Sequence, residues 1–97
     1  MVTFSFREFG ENLGTRSLGV RVREQLMPLL EQDERVVLDF TGVNVVSNSF
    51  ADECIAKLLL SMSLDQLKAH TTFRGLNPIA SESILTALQR RHLTMIG

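Results

Sequence analysis

The sequence predicts an α/β fold, a single domain with a small, mostly parallel mixed sheet of about four strands and about three helices. The first observation is the hydrophobic period, which switches repeatedly between two and 3.6 along 97 residues and gives the order strand, helix, strand, helix, strand, helix, with room for one more strand. Crossover helices of this kind return the chain to the same end of the sheet, which favours parallel pairing. The second observation is that no repeat or linker divides the chain, so we expect residues 1–97 to form one domain.

The first half of the chain supplies a strand, a helix and a second strand. Every second residue of 2–6 is Val or Phe, the pattern of a half-buried strand. A glycine-punctuated connection over 10–19 leads into a helix, and Pro28 is expected to kink that helix or tighten its last turn. The segment 36–40 is apolar except for Asp39, so it suits a central strand whose terminal carboxylate has a structural role.

The second half adds two helices and a strand. Residues 43–46 continue the chain in extended form, and the helical period begins at Ser49. Residues 71–76 read as a strand, after which Asn77 caps a last helix with proline at its first position. Apolar residues over 93–96 are expected to form a short strand or a packed tail.

Composition and charge exclude several classes of function. Ten Lys and Arg residues balance eleven Asp and Glu residues, so the net charge is −1 and no basic stripe supports nucleic-acid binding. The single cysteine, Cys54, fits a reducing compartment and a place in the core. His70 and His92 are isolated, so we expect neither a metal nor a cofactor. Without a signal peptide or an apolar run long enough for a membrane, we expect a cytoplasmic protein.

The most informative segment is 36–57, where a buried strand reaches a polar elbow and an amphipathic helix departs. Ser49 followed three residues later by an acid resembles a capping box, and two acids suit the positive end of a helix dipole. Arg16, in the glycine-rich connection, is expected to pair with Asp39, to pair with these acids or to contact a partner. We expect a partner to bind here. The predicted partner-binding residues are Arg16, Ser47, Asn48, Ser49, Phe50, Asp52 and Glu53.

Three segments of the chain together resemble the STAS-like domains, relatives of the sulfate transporter and anti-sigma-factor-antagonist domain. They are residues 12–16 (NLGTR), 37–43 (VLDFTGV) and 47–53 (SNSFADE). In the anti-sigma factor antagonists, a partner serine kinase phosphorylates a serine in an Asp-Ser-Ser-Gly elbow, and phosphorylation breaks the complex. The resemblance implies a bacterial, non-catalytic regulatory module. Its partner would be a protein, an ATP-binding serine kinase of the anti-sigma-factor type among the candidates.

The elbow departs from the antagonist motif at three of its four places. Ser47 stands in place of the Asp, Asn48 in place of the first Ser, and Phe50 in place of the Gly, while Ser49 corresponds to the phosphorylated serine. Two interpretations of Ser49 therefore stay open. It is either a helix cap or a phosphorylation site whose added charge ejects a docked partner.

The sequence also bears on three alternatives: a small-ligand sensor, an enzyme and a homodimer. A small-ligand sensor would bind a nucleotide or an anion at the same helix N-terminus, although the glycines match no nucleotide-binding motif. No recognisable set of catalytic residues is present, so we do not expect an enzyme. The first strand could also pair with its copy in a homodimer.

Overall fold

A three-stranded parallel sheet forms the centre of the fold in the computed structural model, which describes residues 1–32 and 35–96, with side chains through Leu93. Its strands are β1 (Val2–Ser5), β3 (Val36–Asp39) and β5 (Thr71–Arg74), in the order β1-β3-β5. A second pair, β2 (Asn12–Leu13) and β4 (Val45–Val46), is also parallel. The predicted α/β fold with a small, mostly parallel sheet is confirmed, and every strand pair among the described residues is parallel.

The central strand β3 is covered on both faces, because Val36, Val37 and Leu38 are buried in succession. Leu38 pairs with Phe4 on one side and Phe73 on the other, and its side chain is wholly buried. Phe40, just beyond the end of β3, stacks on Phe6 with ring centroids 4.0 Å apart. These aromatic side chains join the sheet to the rest of the core, because Phe40 also lies 6.2 Å from the ring of Phe73.

Helix α1 (Arg16–Glu31) follows the glycine-rich connection. The Thr15 hydroxyl accepts a hydrogen bond from the backbone N–H of Leu18 and so caps the helix. The helix continues through Pro28, and the Gln32 N–H then donates to the Leu29 carbonyl, three residues back. The tightened last turn predicted from the proline is therefore present.

Helix α2 spans residues 48–60 and changes its winding along its length. It opens with an α-helical turn (Asn48–Phe50), widens into a π-helical segment (Ala51–Ile55) and tightens into a 3₁₀ segment (Ala56–Leu60). It packs against α1 so closely that a Cβ atom at Gly19 would lie 2.9 Å from the Cβ atom of Glu53. Glycine therefore permits the close approach of α1 and α2.

Two helices complete the chain. Helix α3 (Leu64–His70) begins with a capping box in which Ser63 and Gln66 bond each other's backbone N–H groups. Helix α4 (Pro78–Ile96) is capped by Asn77, as predicted, whose side chain accepts a hydrogen bond from the Ala80 N–H.

Four features differ from the sequence-based expectations. The first strand ends at Ser5, because Phe6 turns into the core within a 3₁₀ turn (Phe6–Phe9). The connection 10–19 contains β2, and α3 was not predicted. The strand or tail expected over 93–96 is wrong, because α4 continues to Ile96.

No helix in the described part of the chain is long and apolar enough to cross a membrane.

Candidate functional site

The elbow between β4 and α2 is organised by Ser47. Its backbone N–H donates to the Leu13 carbonyl of β2, and its hydroxyl accepts from the N–H of Phe50 at 3.0 Å. The predicted capping box at Ser49 is wrong. The extended backbone ends at Ser47, so the helix begins at Asn48 and Ser49 lies inside the first turn. Ser49 is therefore not the residue that caps α2.

The start of α2 opens into a cleft against α4, which we name the elbow cleft. Its volume is about 240 Å³, and it is lined by Arg16, Asn48, Ser49, Asp52, Thr86, Ala87 and Arg90. A shallower depression continues from it along α4, lined by Asn48, Ile79, Glu82, Ser83, Thr86 and Arg90. Asn48 is exposed and Ser49 is half-buried, so the elbow is accessible to another molecule.

Two of the predicted partner-binding residues face inward. Phe50 is wholly buried in the hydrophobic core, and the Glu53 side chain is only 7% exposed. Neither side chain belongs to the surface that a partner can contact. The helical period places Phe50 one turn before the buried Cys54 on the inner face of α2, and the close approach of Gly19 covers Glu53.

Asp52 is held by two arginines. The Arg91 Nε and Nη2 atoms lie 2.8 and 2.9 Å from its two carboxylate oxygens, and Arg16 Nη1 lies 3.0 Å from Oδ2. The hydrogen bonds from Arg91 and then from Arg16 lower the pKa of Asp52 to about 2, against the opposing effect of partial burial. Arg91 forms a fork with Asp52, the strongest geometry of this kind of pair.

Glu53 is surrounded by cations on the inner side of α2. Lys57 Nζ lies 2.7 Å and Arg23 Nη1 2.9 Å from Oε2, and Arg16 Nη1 lies 3.5 Å from Oε1. Arg23 also donates to the backbone carbonyl of Glu53. The hydrogen bond from Lys57, followed by that from Arg23, lowers the pKa of Glu53 despite its burial.

Both acids stand two residues further from the cap of α2 than the sequence suggested, so cations rather than the first-turn N–H groups are their partners. Of the alternatives for Arg16, pairing with these acids is observed. Asp39 instead accepts hydrogen bonds from the N–H and hydroxyl of Thr41 and pairs with Arg74, which confirms its structural role.

The ion pairs of Asp52 predict a pH dependence of stability. The pKa of Asp52 is lowered in the folded state, so its contribution is complete above the ordinary value of 3.8 and is lost as the pH falls towards 2. Between about pH 5 and about pH 2.5, we expect the wild type to lose about 2 kcal/mol more unfolding free energy than Asp52→Asn. Urea unfolding at a series of pH values measures this difference.

The matched control is Asp65→Asn, an exposed aspartate in the first turn of α3. Its pH profile should follow that of the wild type. Parallel profiles for the wild type and Asp52→Asn would show that the two arginines do not stabilise the ionised carboxylate.

Helix α4 supplies site residues that the sequence analysis missed. Ile79, Ser83, Thr86 and Arg90 recur at intervals of four, three and four residues, so they share one face of α4. That periodicity was readable in the sequence. The position of this face beside the elbow was not, because it depends on how α4 packs.

The described residues provide neither a cluster of metal ligands nor a reactive thiol. Among residues 1–32 and 35–96, no group of three or more His, Cys, Asp or Glu side chains could hold a metal ion. Cys54 is wholly buried, and burial raises the pKa of its thiol to about 12. It packs as a core residue, as predicted.

The polar elbow after a parallel strand, with an amphipathic helix leaving it, can be compared with known families. A family model described as a STAS-like domain of unknown function (DUF4325) matches residues 19–79. The chain belongs to the STAS-like family. The match includes the elbow and both acids of α2, whereas Arg16 and the part of α4 beyond Ile79 lie outside it. No curated protein and no solved structure matches this STAS-like chain.

Proposed function

We propose that this STAS-like domain is a non-catalytic regulatory module that docks a protein partner at the elbow cleft. The observation that carries the proposal is the accessibility of Asn48 and Ser49, which line an open cleft along α4 instead of packing beneath the chain's own side chains. The polar cleft and the second depression share Asn48, Thr86 and Arg90, so they form one continuous surface along α4 that a partner can contact.

Exposed apolar side chains in the shallower depression and close to the elbow in sequence favour a protein as the occupant. Ile79, in the shallower depression, is 68% exposed, and Val45, two residues before the elbow, is 45% exposed. Interfaces between proteins combine such apolar anchors with a polar rim. Arg16, Asn48 and Ser49 provide that rim in the same region.

Phosphorylation of Ser49 is the proposed switch. The Ser49 side chain is half-buried and lines the cleft, so a phosphate on its hydroxyl would lie within the docking surface. The added group brings nearly two negative charges and three acceptor oxygens. We therefore expect a partner docked at this place to be released. Because Ser47 caps α2, the modification leaves the cap intact.

The class of partner follows from the resemblance to the anti-sigma factor antagonists. There the partner is an ATP-binding serine kinase, which both docks at the elbow and transfers the phosphate. We propose a protein of this type as the partner of this chain.

Capture of partners from native lysate tests the proposal through matched variants. We expect Ile79→Ser and Ser49→Glu to lose a protein that the wild type retains, because the first removes an anchor and the second adds charge to the cleft. Leu93→Ser controls for the loss of an exposed apolar side chain, since Leu93 is 64% exposed on the same helix and does not line the cleft. Ser49→Ala controls for the loss of the hydroxyl without added charge.

The proposal requires that both controls retain the captured protein. Equal capture by the wild type, Ile79→Ser and Ser49→Glu would remove the elbow cleft as the docking site.

A further inference from the structure

We propose that the elbow cleft binds a phosphoryl group and that Arg16 holds it, exchanging its contact with Asp52 for the phosphate oxygens. The inference deepens the proposed function and rests on it for its place in regulation. Its test requires no partner protein.

The ion cluster beside the cleft carries more positive than negative charge. Four cations converge on two carboxylates of α2, and the distances between charged atoms lie between 2.7 and 3.5 Å. The cations are Arg16, Arg23, Lys57 and Arg91, and the carboxylates are Asp52 and Glu53. The cluster thus holds an excess of two positive charges, which favours an anion at its open side.

Arg16 is the cation of the cluster whose contacts with the carboxylates can be broken at the lowest cost in free energy. The Arg91 fork already contacts both oxygens of Asp52, and Lys57 and Arg23 contact Glu53. Arg16 adds single contacts to these acids, both through Nη1. Its side chain is 54% exposed, whereas those of Arg23, Lys57 and Arg91 are 24–29% exposed. The hydrogen bond that Arg16 donates to Asp52 comes from Nη1, one of the three nitrogens of its guanidinium group.

The walls of the cleft present groups that suit a tetrahedral anion with three acceptor oxygens. Two hydroxyl groups, from Ser49 and Thr86, and the side-chain amide of Asn48 line the same space as Arg16 and Arg90. Hydroxyl, amide and guanidinium groups are the usual hydrogen-bond donors to phosphate. The wall also carries the Asp52 carboxylate, whose charge the Arg91 fork compensates, so the cleft combines positive charge with donors on several sides.

A phosphoryl group can reach this place from two sources. Phosphate on Ser49 would lie in the cleft with Arg16, and a phosphorylated molecule from outside could enter the same space. Both sources offer the same chemistry to Arg16. The experiment is arranged to separate them.

The first arm titrates the unmodified protein with inorganic phosphate at constant ionic strength, followed by the NMR signals of the backbone amides and of the arginine Nε–H groups. We expect saturable shifts at Asn48, Ser49 and Arg16. Arg16→Gln should bind phosphate about tenfold more weakly, the loss expected for one charge-assisted interaction. Arg21→Gln is the control, because Arg21 is exposed on α1, does not line the cleft, and its replacement changes the net charge equally.

The second arm uses protein that carries phosphoserine at position 49, with and without Arg16→Gln. Phosphorus NMR measures the second pKa of the phosphate, which is about 6 in an exposed phosphoserine. We expect Arg16 to lower this pKa and Arg16→Gln to restore it, while Arg21→Gln leaves it lowered. A response confined to the second arm would assign the site to the chain's own phosphate, and one confined to the first would assign it to an external phosphoryl ligand.

Several results would overturn the inference. Equal weakening of phosphate binding by Arg16→Gln and Arg21→Gln would show that the binding depends only on the net charge of the protein. Acetate binding as tightly as phosphate would refute a phosphoryl site. The absence of an Arg16-dependent response in both arms would show that Arg16 does not exchange its contact with Asp52 for phosphate. None of these results bears on partner capture, so the docking proposal and this inference can fail separately.

Discussion

Replacing Glu53 by glutamine is expected to lower the free energy of unfolding by about 3 kcal/mol, because it removes the charge that compensates two partly buried cations. Glu53 is 7% exposed, and Arg23 and Lys57 lie within 2.9 Å of its Oε2 atom. Glutamine has nearly the same volume, so packing at Gly19 is preserved while the ion pairs are lost. The cost is a large share of the roughly 5–15 kcal/mol that stabilises a typical domain.

Urea unfolding measures the change, and Glu82→Gln provides the matched control. Glu82 is an exposed glutamate on α4, and its replacement should alter the free energy of unfolding by less than about 0.5 kcal/mol. A change of similar size in both variants would mean that the cations around Glu53 find adequate solvation without it.

Replacing Phe40 by alanine is expected to lower the free energy of unfolding by about 4 kcal/mol, the usual cost of a large cavity in a rigid core. Phe40 is wholly buried, stacks on Phe6 and lies beside Phe73 of β5. Its backbone N–H also donates to the Arg74 carbonyl, so the ring is fixed between β3 and β5 and its neighbours have little freedom to close the space.

The comparison variants are Phe40→Leu and Phe9→Ala. Phe40→Leu keeps much of the volume and should cost less than the alanine variant. Phe9 is only partly buried, at the edge of the aromatic cluster, so its loss should cost clearly less than that of Phe40. Equal costs for Phe9→Ala and Phe40→Ala would contradict the central position that the packing gives to Phe40.

The sequence was most informative where a local pattern fixes the structure. The apolar run ending at Asp39 predicted the central strand and the structural carboxylate, and Asn77 predicted the start of α4. Pro28 predicted the tightened end of α1. Each of these features depends on backbone geometry or hydrogen bonding within a few residues, which the order of amino acids largely determines.

The elbow shows where such local reasoning reaches its limit. Both Ser47 and Ser49 have the side chain of a helix cap, and the pattern with Asp52 favoured Ser49. The choice of Ser47 depends on its bond to the Leu13 carbonyl, 34 residues away in sequence, which sets where the extended backbone ends. This two-residue shift of the cap also moves Asp52 out of the first turn, where Arg91 binds it.

By itself, the sequence determined the α/β order, the parallel sheet, the strand-to-helix elbow and the family, because hydrophobic periodicity and short motifs encode them locally. Only the tertiary structure decided that Phe50 and Glu53 face inward, that Arg16 pairs with Asp52, and that α4 forms the other wall of the cleft. The physical reason is that these outcomes depend on contacts between segments distant in sequence, and those contacts form only when the helices pack around the sheet.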